Sequence, residues 1–184
     1  MYRVELTKND RKMVVFAMRS GEWKEEFRIR GEDKRLEVLG VFVVDEEEVL
    51  DLDLVLSHEF CGSQGEVYIK GIVKGKGVAK IKGLLRIGKD APLSESFLRA
   101  NILMESEQGF ADVRPGLEIL TDEVKASHAA TIGRLDDEQI FYLQSRGVEE
   151  NAAREILAQG FLNEVFSRVG DPQIVDKMKK ELKD

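Results

Sequence analysis

Up to about Lys125 the apolar residues recur at every second position. In "VLDLDLVLSH" the residues Leu50, Leu52, Leu54 and Leu56 share one side while Asp51 and Asp53 share the other, which is the alternation of a strand with one buried and one wet face. His58 falls on the leucine side. "YRVEL", "KMVVFAM", "EEFRIR", "RLEVLGVFVV" and "GEVYIKGIVKGKGVAKIKGLLRIG" carry the same period and are broken by Gly or acidic turns. The spacing predicts many short strands.

From Val67 to Ile87 every odd position is small or apolar, whereas Lys70, Lys74, Lys76, Lys80, Lys82 and Arg86 fall on even ones. One narrow core face and one basic face are expected. The segment nearly repeats itself, "YIKGIV" against "KIKGLL", with "EVLGVF" as a weaker copy. Repeated strand-Gly-strand units without intervening helices suggest stacked coils. Two-residue hairpin turns such as Asn-Gly are absent from these stretches, which sets a right-handed parallel β-helix ahead of a β-sandwich-like stack.

After residue 126 the period becomes helical, dividing the chain into a β-helix core domain, 1–126, and a C-terminal helical region, 127–184. Asp136 is an N-cap with Gln139 completing a capping box and Leu135 stapling to Ile140. Asp137 and Glu138 sit at the positive end of the helix dipole, and Gly147 is a C-terminal stop. A second helix from about Glu149 to Arg168 carries an apolar stripe that needs a partner surface. A third starts at Asp171 with Pro172 in its first turn and spaces Ile174, Met178 and Leu182 four apart.

The 184 residues, 42% hydrophobic and 34% charged, belong to a globular chain that can bury a sizeable core. A net charge of −7 opposes a general nucleic-acid surface. The cation-bearing strands have no interleaved aromatic except Tyr68, so a stacking platform for single strands is missing. The single Cys61 excludes an intrachain disulfide and fits a reducing compartment, with the cytoplasm the expected location. No signal-like N-terminus or membrane-spanning apolar run is visible.

Two histidines are candidates for chemistry. His58 and Cys61 in "SHEFCG" stand three apart, but no further ligand lies at the short spacings of a zinc motif; a strand-end histidine beside an inert thiol is the expectation. His128 in "ASHAAT" sits where extended and helical periods meet, and either metal ligation or local hydrogen bonding suits such a corner. The acidic run "DEEEVLDLD" lacks the order of a calcium loop. Neither a phosphate loop nor a nucleophile elbow is present, and no catalysis is expected.

The stretch "GLEILTDEVKASHAATIGRLDDEQIFYLQSRGVEENAAREILAQGF", Gly116 to Phe161, resembles the C-terminal end of the SufB/SufD family, closest to its SufD branch. The Ser-His-Ala-Ala-Thr motif falls on Ser127 to Thr131, the Gly-x-Leu-Asp-x-Glu motif on Gly133 to Glu138 and Phe-Tyr-Leu on Phe141 to Leu143. Upstream, "LDLVLSHEFCGSQGEVYIKGIVKGKGVAKIKGLLRIGKDA" is similar to the family's β-helix coils. The resemblance implies a right-handed parallel β-helix with C-terminal helices, acting as a non-catalytic scaffold in SUF iron–sulfur cluster assembly. It implies pairing with a SufB-like protein through the β-helix and docking of a SufC-like ATPase through the helical region. His128 takes the place of a histidine implicated in holding the nascent cluster. Asp136, Glu138, Ile140, Phe141, Tyr142 and Arg146 become the expected docking residues. The chain is shorter than typical members, without their N-terminal helical domain, and "LSESFLRANILM" has no cysteine where SufB-type members supply one. With so few soft ligands the isolated chain is expected to bind no cofactor, and any transient cluster would be shared with a partner. A homodimeric β-helix interaction protein that has lost the cluster role is the alternative.

Overall fold

The computed structural model describes residues 1–8 and 11–183. Its strands β1 (Tyr2–Lys8), β2 (Arg11–Met18), β3 (Gly21–Ile29), β4 (Arg35–Val44), β5 (Val49–His58), β6 (Gln64–Val73), β7 (Val78–Ile87), β8 (Glu95–Met104), β9 (Phe110–Ile119) and β10 (Lys125–Arg134) alternate between two sheets. Sheet A is ordered β1-β2-β4-β6-β8-β10 and sheet B β3-β5-β7-β9. All neighbours are parallel except β1 and β2. The chain therefore winds from one sheet to the other and back, the stacked-coil architecture of a parallel β-helix.

Arg35 pairs with Gln64 and Gln64 with Glu95, so successive coils take 29 and then 31 residues. Corner residues keep the same spacing: Asp33, Gly62 and Leu93 at one edge and Glu46 and Gly75 at the other all have positive φ. These five corners thus each use a left-handed residue at the equivalent position, a geometry that Gly62 and Gly75 adopt without steric cost.

The short internal repeat is not the stacking period. Tyr68–Val73 lies in β6 and Lys80–Leu85 in β7, strands of opposite sheets. The basic face divides for the same reason. Lys70 points to the outside of sheet A and is 6% exposed, whereas Lys80 and Lys82 lie on the outside of sheet B, register partners of Asp51 and Asp53.

Between the sheets lies an apolar core running from Val14 to Ile102. Phe16 stacks on Gly40 and Phe42 on Gly71 in the next coil. A Cβ on either glycine would overlap the ring facing it, so each glycine is the recess into which a phenyl packs.

The helices α1 (Asp137–Ser145), α2 (Glu150–Val169) and α3 (Pro172–Glu181) follow β10. Val15, Leu39, Val41, Tyr68 and Ile72 on the outer face of sheet A form a second core with Leu162, Val165, Phe166, Ile174 and Met178 of α2 and α3. β4 and β6 are consequently buried on both faces, while β5 and β7, whose outer face has no helix over it, keep the leucine-aspartate or isoleucine-lysine alternation. Charged groups fasten α2 to the sheet. Lys70 Nζ stands 2.6 Å from Glu164 and 4.2 Å from the Phe161 ring centroid, and Arg168 stacks 4.3 Å from the Tyr68 ring while donating to Glu66 at 2.8 Å.

Strand structure continues to Arg134, so helical structure begins at Leu135–Asp137 rather than at residue 127. The small residues of "ASHAAT" satisfy a strand because they pair with β8 along its whole length, a tertiary demand that local period does not show.

Candidate functional site

β9 and β10 form the last coil and have no strand beyond them. Their core-directed side chains therefore have no further coil stacked on them and lie at an open end. His128 pairs with Leu98 of β8 and Ile132 with Ile102, both members of the apolar core, which places His128 and Ile132 on the row that points into the coil. Both are nonetheless exposed, as are Leu117 and Ile119 across the opening on β9. The result is an apolar mouth carrying one imidazole, bordered by unpaired strand edges that can accept another strand.

His58 occupies the same kind of row in β5 but is 1% exposed. Its Nδ1 lies 2.8 Å from Ser63 Oγ and its Nε2 2.9 Å from Ser96 Oγ, and Ser63 Oγ lies 3.0 Å from Ser94 Oγ. A neutral imidazole offers one donor and one acceptor, and the two hydroxyls complement both. Burial pushes its pKa down to about 4. Cys61 sits half-buried in the turn that follows. Among the described residues no group of three or more His, Cys, Asp or Glu is placed to hold a metal ion.

On α1, Asp136 caps the helix by accepting from Glu138 N–H at 2.9 Å; Gln139 does not complete the expected box, and Leu135 packs against the core outside sheet A. The helix closes at Gly147, φ +87°, where Gly147 N–H donates to the Gln144 carbonyl and Val148 N–H to that of Leu143. Phe141 is 72% and Tyr142 58% exposed, and the Arg146 guanidinium lies 5.4 Å from the Tyr142 ring. Asp136, Glu138 and Arg146 are exposed as well. Ile140 is not a surface residue: at 4% exposure it is the buried residue of α1, rotated about 100° around the helix from its neighbour Phe141 and so on a different face.

The expected residues thus divide between two surfaces, His128 at the open end and five α1 positions on the helical edge. The apolar ring of Leu117, Ile119 and Ile132 was not read from the sequence. Its signal was present, since inward-period residues in the last two strands have no later strand to cover them.

No helix among the described residues is long and apolar enough to cross a membrane. A family model described as SUF system FeS cluster assembly, SufBD core domain, matches residues 15–161. The chain is 35% identical over 146 residues to the iron-sulfur cluster assembly protein SufD of Escherichia coli K12, covering 78% of this chain and 34% of that protein. It is 34% identical over 159 residues to an iron-sulfur cluster assembly SufBD family protein of Mycobacterium leprae, covering 82% and 41%, and 31% identical over 150 residues to one from Mycobacterium tuberculosis H37Rv, covering 77% and 38%. The chain spans between a third and about two fifths of the length of these relatives.

Proposed function

Because the chain belongs to the SufB/SufD family, we propose that it serves iron–sulfur cluster assembly as a SufD-like scaffold, joining partners and performing no bond-making chemistry itself. The observation that carries this reading is the open end: exposed Leu117, Ile119 and Ile132 around His128, beside an unpaired strand edge. A SufB-like protein, built on the same coils, would cover that apolar mouth and extend the sheets. The cluster is cargo held between the two chains, His128 supplying one nitrogen and the partner the remaining ligands. Phe141, Tyr142 and Arg146, with Asp136 and Glu138 at the helix start, form the surface for a SufC-like ATPase. Aromatic and arginine side chains of this kind anchor interfaces.

Co-expression with a SufB-like protein and a SufC-like ATPase should give a stable three-component complex. Ile132→Asp should release the SufB-like protein and leave the ATPase bound, while Phe141→Asp with Tyr142→Asp should do the opposite. Anaerobic reconstitution of the His128→Ala complex should yield less iron and sulfide. Unchanged composition in these variants would overturn the assignment of surfaces. A symmetric dimer of the chain alone, broken by Ile132→Asp and indifferent to the SufB-like protein, would favour self-pairing of the open end instead.

A further inference from the structure

We propose that the cleft between the outer face of sheet A and helices α2 and α3 binds a small amphipathic anion, a carboxylate bearing an aliphatic tail. The cleft measures about 310 Å³, within the range of small-ligand sites. Its apolar wall comes from Val43 and Ile72 of the sheet and Leu162 and Phe166 of α2.

Charge defines which end of the ligand lies at the mouth. Lys74, Lys179 and Lys183 line the cleft against the single carboxylate of Glu155, in a chain whose net charge is −7. Lys74 is partly engaged, 3.6 Å from Glu105. Lys179 has its ammonium 5.2 Å from the Phe166 ring centroid, and neither it nor Lys183 has an ion-pair partner among the described residues. Such side chains lay their methylenes along apolar surface and keep the charge at the rim. A tail on Ile72 and Leu162 with a carboxylate between Lys179 and Lys183 satisfies both halves of the site.

The test uses the full chain with labelled Ile, Leu and Val methyl groups, followed by NMR during titration with decanoate. Saturable shifts confined to Ile72, Leu162 and Val43 are expected. Decanol and decyltrimethylammonium, which share the tail but not the charge, should bind at least several-fold more weakly. Lys179→Glu with Lys183→Glu, both at exposed positions, should weaken decanoate about tenfold, the effect of two exposed ion pairs replaced by repulsion. Absence of saturable shifts, shifts centred on Ile132 at the open end, equal binding of decanol, or unchanged affinity in the charge-reversed variant would each overturn the proposal.

Discussion

His58 and His128 occupy the same kind of position, the inward row of a coil, and are opposite in character. His58 has coils on both sides, Ile29 before it and Ile87 after it in sheet B, and both ring nitrogens meet serine hydroxyls. His128 has Leu98 behind it and no coil ahead. What differs is whether another coil is stacked on top. A β-helix thus leaves one residue type a buried, hydrogen-bonded group inside the stack and an exposed side chain where the stack ends.

The largest test of that contrast lies in apolar residues of the two regions. Phe42 is fully buried and fills the recess over Gly71. Phe42→Ala should cost about 3–5 kcal/mol, the usual cost of deleting a buried phenyl. Ile132, half exposed at the open end, should lose only about 1 kcal/mol when truncated, because half of its surface never left water. Urea unfolding of the two variants measures both. Comparable losses would mean that the open end is covered in the isolated chain, for instance by a second copy.

The next test is the pH dependence of the closed coil. His58 has a folded pKa of about 4 against an ordinary 6.5. The unfolded chain therefore takes up its proton first as the solution is acidified. The stability from a neutral His58 is complete above pH 6.5 and is lost as pH falls toward 4, by about 3 kcal/mol at most. Burial raises Glu37 and Glu105 instead. Those carboxyls protonate in the folded state before the unfolded one, so just above pH 4.5 they oppose the loss. Subtracting the profile of His58→Gln removes their contribution. The difference in unfolding free energy should shrink by up to that amount between pH 7 and 4; a constant difference would show that His58 is not held neutral.

The closed region was the more legible in the sequence, and the reason is physical. Leu50 to Leu56 alternate with Asp51 and Asp53 because sheet B has one wet face, and a period of two records that directly. β4 and β6 lose the alternation where α2 and α3 cover them, so their neighbourhood was harder to read. The even-numbered lysines looked like one face because parity survives the turn at Gly75, although the chain there crosses to the other sheet. β10 was shortened because Ala126, Ser127, Ala129 and Ala130 have little strand preference of their own. The N-cap at Asp136 and the stop at Gly147 are local devices, and both were visible. Ile140 was misplaced because helical spacing says which residues share a face and not which face meets α2.

The smallest expected effect is the most diagnostic for His128. His128→Ala should change unfolding free energy by no more than about 0.5 kcal/mol, as for an exposed side chain without fixed partners. His58→Ala should cost about 2–3 kcal/mol, since it leaves a cavity and strips Ser63 and Ser96 of their partner. If His128→Ala were as costly as His58→Ala, the imidazole would be a structural corner of the last coil, and its availability as a ligand would fall with it. A neutral result in the isolated chain, coupled with lower iron in the reconstituted complex, would separate the two roles: the fold does not need His128, so its place at the mouth answers to what binds there.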